Sequence, residues 1–304
     1  MPVPPKPLPS RFTHSPFRTT DALAHGVHRE RLRRADLAVP TRGVRVPAES
    51  TDFAEVAMAV GLLLRPDQHL SHTTAARLWH CLLPRTLTSP VALLHVSTVG
   101  DGPVERRTGI AGHRVDPDRA SVTAVLGIRT SSPAALWYEC RTMLSVRQLV
   151  VLGDHMVGVG RLTTVDALER TLHSGDRGVV AARTALERIR PGAESPMESV
   201  LRLLVVDAGF PEPALNVDVV DDGGAFIGRV DMGWTDLRIA LEYDGDHHRT
   251  DRGTFVHDRS RRNAFVVEDW LTIHVTAPDV SRPAEFLERL RQAFELRRRA
   301  TPVA

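Results

Sequence analysis

Two periodicities of apolar residues run through the C-terminal third of the chain. In SPMESVLRLLVVDAGF, Met197, Leu201, Leu204 and Ala208 recur at helical spacing, Ser195 is an N-cap type, Pro196 takes the first helical position and Gly209 suits the end. The pattern then changes to alternation. AFIGRVDMGW, turn residues Thr235 and Asp236, and LRIALEYDG predict a β-hairpin. Alternation sends Ile239, Leu241 and Tyr243 to one face and Ala240, Glu242 and Asp244 to the other. The short turn sets Asp231 at about the level of Glu242. HDRSRRNAF is predicted as a helix and DWLTIHVT as a late strand. PAEFLERLRQAFELRRR is predicted as a packing helix through Leu287, Leu290 and Phe294, with a basic end.

Further upstream the signals are shorter. SHTTAARLWHCLLP, TSSPAALWYECRTM and VVAARTALERIR predict helices, and ALLHVSTV and GIAGHRV predict strands. At the front, Thr19, Thr20 and Asp21 precede DALAHGV, Gly26 suits a turn, HRERLRRADL predicts a second helix and VPTRGVRVP a β-wing. Arg29, Arg31, Arg33, Arg34, Arg42 and Arg45 outnumber the acids Asp21, Glu30 and Asp36 there, which is a footprint for DNA phosphate or a solvated face. The expected organisation is a proline-rich tail over 1–16, a DNA-binding unit over 17–49, an α/β connector over 50–194 and a catalytic-type domain over 195–304, divided between Arg190 and Ser195.

Composition narrows the chemistry. The formal charge of +2 conceals a strong bias: Lys6 is the only lysine among 39 basic residues, so lysine-dependent chemistry has no candidate in a folded site. The two cysteines, Cys81 and Cys140, lie far apart outside any CxxC pattern, and no apolar run reaches bilayer length. A reducing cytoplasm and no membrane are expected. His72, His80, His95, His113 and His155 are scattered without ligand spacing, and Asp154 and His155 are adjacent but point apart, so none of them is assigned chemistry.

The acids are a different matter. Glu198, Asp231, Glu242 and Asp244 offer hard oxygen ligands from a helix and two strands, a set suited to Mg²⁺ or Mn²⁺. Glu198 has a rival role, because Ser195 and Glu198 have capping-box spacing. The adjacent His247 and His248 are candidate proton carriers. Asp258 and Arg262 have ion-pair spacing, whereas Arg261 or Arg262 could face a scissile phosphate.

Glu198 in its helix, Asp231 in RVDMGW, LEYDGDHH, HDRSRRNAF and DWLTIHVT together resemble the very-short-patch-repair-like endonuclease branch of the PD-(D/E)XK superfamily, over about eighty residues. The resemblance implies a restriction-endonuclease-like mixed sheet flanked by helices, with Glu198, Asp231 and Glu242 holding a cation for hydrolysis of a DNA phosphodiester. One departure from the superfamily pattern stands out: Asp244 occupies the lysine position of its third motif. An acid followed by glycine is usual there in this branch, and it leaves the general base open between the histidines, with Asp244 an added metal ligand as the other option. FRTTDALAHGVHRERLRRADLAVPTRGVRV resembles the winged helix of abortive-infection-type antitoxins. The expected fold class is therefore α/β, with a winged helix and a connector before a nuclease-like domain. The expected function is a metal-dependent DNA endonuclease or nickase; the alternative is a DNA-binding regulator or antitoxin-like protein on an inactive nuclease fold.

Overall fold

The computed structural model describes residues 6–49, 52–89, 92–221, 223–245 and 263–300. The chain forms two compact units: residues 1–152 with 162–187, and residues 153–161 with 188–304. The architecture is α/β, with mixed sheets flanked by helices. The stretches expected as a winged helix and a separate connector thus share one unit. The second unit starts close to the expected boundary but also takes back residues 153–161.

In the first unit, β1 (Phe17–Arg18), β2 (Leu37–Ala38) and β3 (Val44–Pro47) form an antiparallel sheet in the order β1-β3-β2. The helix Thr19–Ala24 is present, and β2 and β3 pair across the expected wing. The second helix predicted in HRERLRRADL is not formed; the stretch holds only a 3₁₀ turn at Arg31–Arg33. The physical reason lies in the buried positions. Val27, Leu32 and Leu37 are five residues apart, too far to line one helical face, and they join Phe12, Phe17 and Ala22 in a small core instead.

A five-stranded sheet follows: β4 (Gln68–Leu70), β5 (Leu94–Val99), β6 (Ile110–Val115), β7 (Val122–Val125) and β8 (Ile128–Ser131), in the order β6-β5-β4-β8-β7. β5 and β6 run parallel, as do β4 and β8. The predicted helices form at His72–Leu78 and Pro133–Glu139, the latter capped by Ser132 with proline in its first turn. Cys81 and Cys140 are free and buried, and burial pushes the Cys81 thiol up to about 12.

The second unit is built on β9 (Ala214–Val220), β10 (Phe226–Trp234), β11 (Ile239–Asp244) and β12 (Leu271–Thr276), in the order β12-β11-β10-β9. β9, β10 and β11 are antiparallel and β12 lies parallel to β11. Leu201 and Val205 of the helix Pro196–Asp207, and Phe286, Leu290 and Phe294 of the helix Ala284–Ala300, bury Met232, Trp234, Ile239 and Leu241. Ala240 and Val230 face the other way and meet Phe265. The predicted alternation of β11 is therefore the observed one.

The helix Pro196–Asp207 departs from its predicted single face. Ala208 is its exposed C-cap, whereas Ser199, Arg202 and Leu203 are buried. Arg202 is 2% exposed and bonds Asp154 at 2.9 Å, Glu212 at 2.9 Å and the Arg188 carbonyl at 2.8 Å. Asp154, fully buried, also accepts from the Arg190 N–H at 2.7 Å. A residue with no expected chemistry thus anchors the returning segment 153–161 to the main body of its own unit.

Candidate metal centre

The carboxylate site grows from local capping. Ser195 accepts from the Glu198 N–H at 3.2 Å, which is one half of the predicted capping box. The other half is not made as predicted: the Glu198 carboxylate accepts from the Glu194 N–H at 2.8 Å, one residue earlier than the cap. Glu198 is 7% exposed. Burial pushes its carboxyl up, the bonds from Glu194 and Ser195 pull it down, and the nearby charges of Asp231 and Glu194 push it further up.

On the sheet the register of β10 and β11 runs to Met232 and Leu241, and Asp231 and Glu242 are the next residues on the two strands. The Tyr243 N–H donates to Asp231 at 2.7 Å and fixes that carboxylate. Glu242 is largely buried and Asp244 is half exposed. Between them on β12 sits His274, which has no role in the sequence-based site. Its Nδ1 lies 3.3 Å from Asp244 and 3.8 Å from Glu242. The parallel register that pairs Glu242 with His274 brings it there. LTIHVT does signal by alternation that His274 faces away from Leu271, Ile273 and Val275, but not which strand it meets. His247, His248, Arg261 and Arg262 lie outside the described residues, as does Asp258.

The arginines at the front divide into two groups. Arg31 bonds Asp36 at 2.9 and 2.6 Å, and Arg45 donates to the Leu32 and Val44 carbonyls at 2.7 Å, with burial pulling its guanidinium down. Both are engaged in local structure. Arg29, Arg33, Arg34 and Arg42 are exposed.

The histidines read as scattered give the clearest correction. Among the described residues, the set of three His, Cys, Asp or Glu side chains whose donor atoms all lie within 4.8 Å of one another is His72, His95 and His113. The carboxylates Glu198, Asp231 and Glu242 do not close to that distance. Ring centroids of the histidines lie 3.8 to 5.4 Å apart, and His95 Nδ1 meets His113 Nε2 at 2.8 Å. Burial pulls His72 down to about 3 and His95 to about 4, so both rings are neutral near pH 7. Their sequence separations, 23 and 18 residues, carry no ligand motif; only the parallel pairing of β5 and β6 and the start of a helix unite them.

Two proteins of Mycobacterium tuberculosis, from strains CDC 1551 and H37Rv and both described as uncharacterized, are each 33% identical to this chain over 127 residues. The match covers 41% of this chain, and the chain spans 46%, about half, of the length of each relative. No family model matches the chain, and no solved structure matches it. Among the described residues, no helix is long and apolar enough to cross a membrane.

Proposed function

We propose that the second unit hydrolyses DNA phosphodiester bonds in a metal-dependent reaction, as an endonuclease or nickase of the very-short-patch-repair-like branch of the PD-(D/E)XK superfamily. The observation that supports this reading is the placement of Asp231 and Glu242 on the paired strands β10 and β11, in the unit whose helix Pro196–Asp207 carries Glu198. Their donor set fits a hard cation, because three carboxylates supply oxygen only; burial above all raises the Glu198 carboxyl, and the charge of Asp231 adds to that rise. Mg²⁺ or Mn²⁺ held there would activate water and offset charge on the phosphate.

The residues of the chain divide the remaining tasks. The Glu194 N–H holds one oxygen of Glu198 and the Tyr243 N–H holds one oxygen of Asp231. Asp244 and His274 form a second, more exposed pair that can hold and pass a proton at His274 Nδ1, a task a lysine cannot perform in a chain whose only lysine is Lys6. The exposed Arg29, Arg33, Arg34 and Arg42 support DNA as the partner through phosphate contacts. The test is nicking of supercoiled plasmid by the full chain with Mg²⁺, Mn²⁺ or EDTA, beside Asp231→Asn and Glu242→Gln. Metal-dependent nicking that both substitutions abolish supports the assignment, and equal nicking by all three proteins refutes it.

A further inference from the structure

Far along the chain from the carboxylates, the first unit carries a cluster that the nuclease reading leaves unused. His95 on β5 and His113 on β6 share a sheet face, because Ser97, two residues after His95, is the register partner of His113. His72 opens the helix that follows β4, and its backbone is held at φ 50, a left-handed value that costs a non-glycine residue about 1–3 kcal/mol and persists only where surroundings enforce it. The enforcement is visible. The His72 N–H donates to Glu139 at 2.9 Å, its ring Nδ1 meets the Ser71 hydroxyl at 2.9 Å, and Ser97 donates to Ser71 at 2.7 Å. Three rings in near-parallel array, with planes 22 to 28° apart, are thus aimed by a built shell of hydroxyls and backbone.

Glu139 borders the array. It accepts from the Ser131 hydroxyl at 2.9 Å, and its carboxylate lies 3.9 Å from the His72 ring and 4.0 Å from the His69 ring. A carboxylate set behind a ligating histidine is a recurrent outer shell of metal centres, where it orients the ring and offsets the cation's charge. His72, His113 and Glu139 line a cavity of about 670 Å³.

We propose that His72, His95 and His113 form a three-histidine site for a divalent transition metal of the zinc class, with its remaining coordination position open to this cavity. Imidazole nitrogen selects zinc, cobalt or nickel over magnesium, so the site is chemically distinct from the carboxylate one. Three protein ligands with an open position is the arrangement that binds water or an exogenous ligand rather than a closed structural centre. A metal–nitrogen bond of about 2.0–2.1 Å asks the His95 and His113 nitrogens to part slightly from their hydrogen-bonded 2.8 Å.

The experiment is titration of the metal-stripped full chain with Zn²⁺ against a chromophoric chelator, together with the visible spectrum of its Co²⁺ form. Expected are one tight zinc per chain and the intense bands of a four-coordinate, nitrogen-rich cobalt centre. His113→Ala should weaken binding by about 100-fold or more and Ser71→Ala by about 10-fold. Asp231→Asn should leave zinc binding unchanged. Zinc held equally by the parent and His113→Ala, or the weak bands of octahedral cobalt, would overturn the site. If His113→Ala loses its fold by circular dichroism, the parent's cobalt spectrum decides alone.

Discussion

Single side chains in this protein carry two jobs that substitutions can separate. Glu198 both accepts the Glu194 N–H and stands beside Asp231. In Glu198→Gln the amide oxygen keeps the hydrogen bond, so stability to urea should change by less than about 1 kcal/mol. Metal-dependent nicking should nevertheless fall about 100-fold or more, since an amide is a poor ligand for a hard cation. His274→Ala tests the proton role beside Asp244: nicking should fall about 100-fold while the melting shift on adding Mn²⁺ persists. Loss of that shift would make His274 a ligand or a positioning residue instead. Asp154 belongs to stability alone. Asp154→Ala leaves Arg202 buried beside a vacated partner, at a cost of about 3–5 kcal/mol in chemical denaturation.

The elements show why some parts of this fold are legible in the sequence and others are not. The hairpin of β10 and β11 can be read because alternation is local, but its turn is longer than the predicted pair Thr235 and Asp236: the loop runs from Thr235 to Arg238, which takes a left-handed backbone, before Ile239 pairs with Trp234. The helix Pro196–Asp207 is equally legible at its start, where Ser195→Ala should cost about 1 kcal/mol through loss of the bond to the Glu198 N–H. Its burial is less legible. A sequence shows one apolar stripe, while Arg202 is buried by partners at Asp154 and Glu212 that no local pattern announces. The predicted second helix at the front fails for a local reason that was there to be read: buried residues at a spacing of five suit a tight turn and loops. His274 and the three upstream histidines depend on parallel strand register, a long-range property, so the residue types were visible and their meeting was not.

At the scale of the whole molecule, the chain passes from one unit to the other and back before entering the second unit for good. A fragment over 195–304 carries the sheet and the carboxylates but lacks Asp154. It should melt less cooperatively and at lower temperature than the same residues in the full chain, as followed by near-ultraviolet circular dichroism. DNA binding belongs to this scale too. If the exposed arginines at the front contact phosphate, Arg29→Ala and Arg33→Ala should each weaken binding across sequences and reduce the salt slope by about 1.

Hydrolysis at the carboxylates is the claim on which the functional account rests. It is tested most directly by plasmid nicking with the full chain and with Glu242→Gln, once matched melting curves show that both are folded. The account predicts nicking by the parent in Mg²⁺ or Mn²⁺, none in EDTA, and none by Glu242→Gln in any metal. Undiminished nicking by Glu242→Gln, or a parent chain inert in both metals, would contradict it.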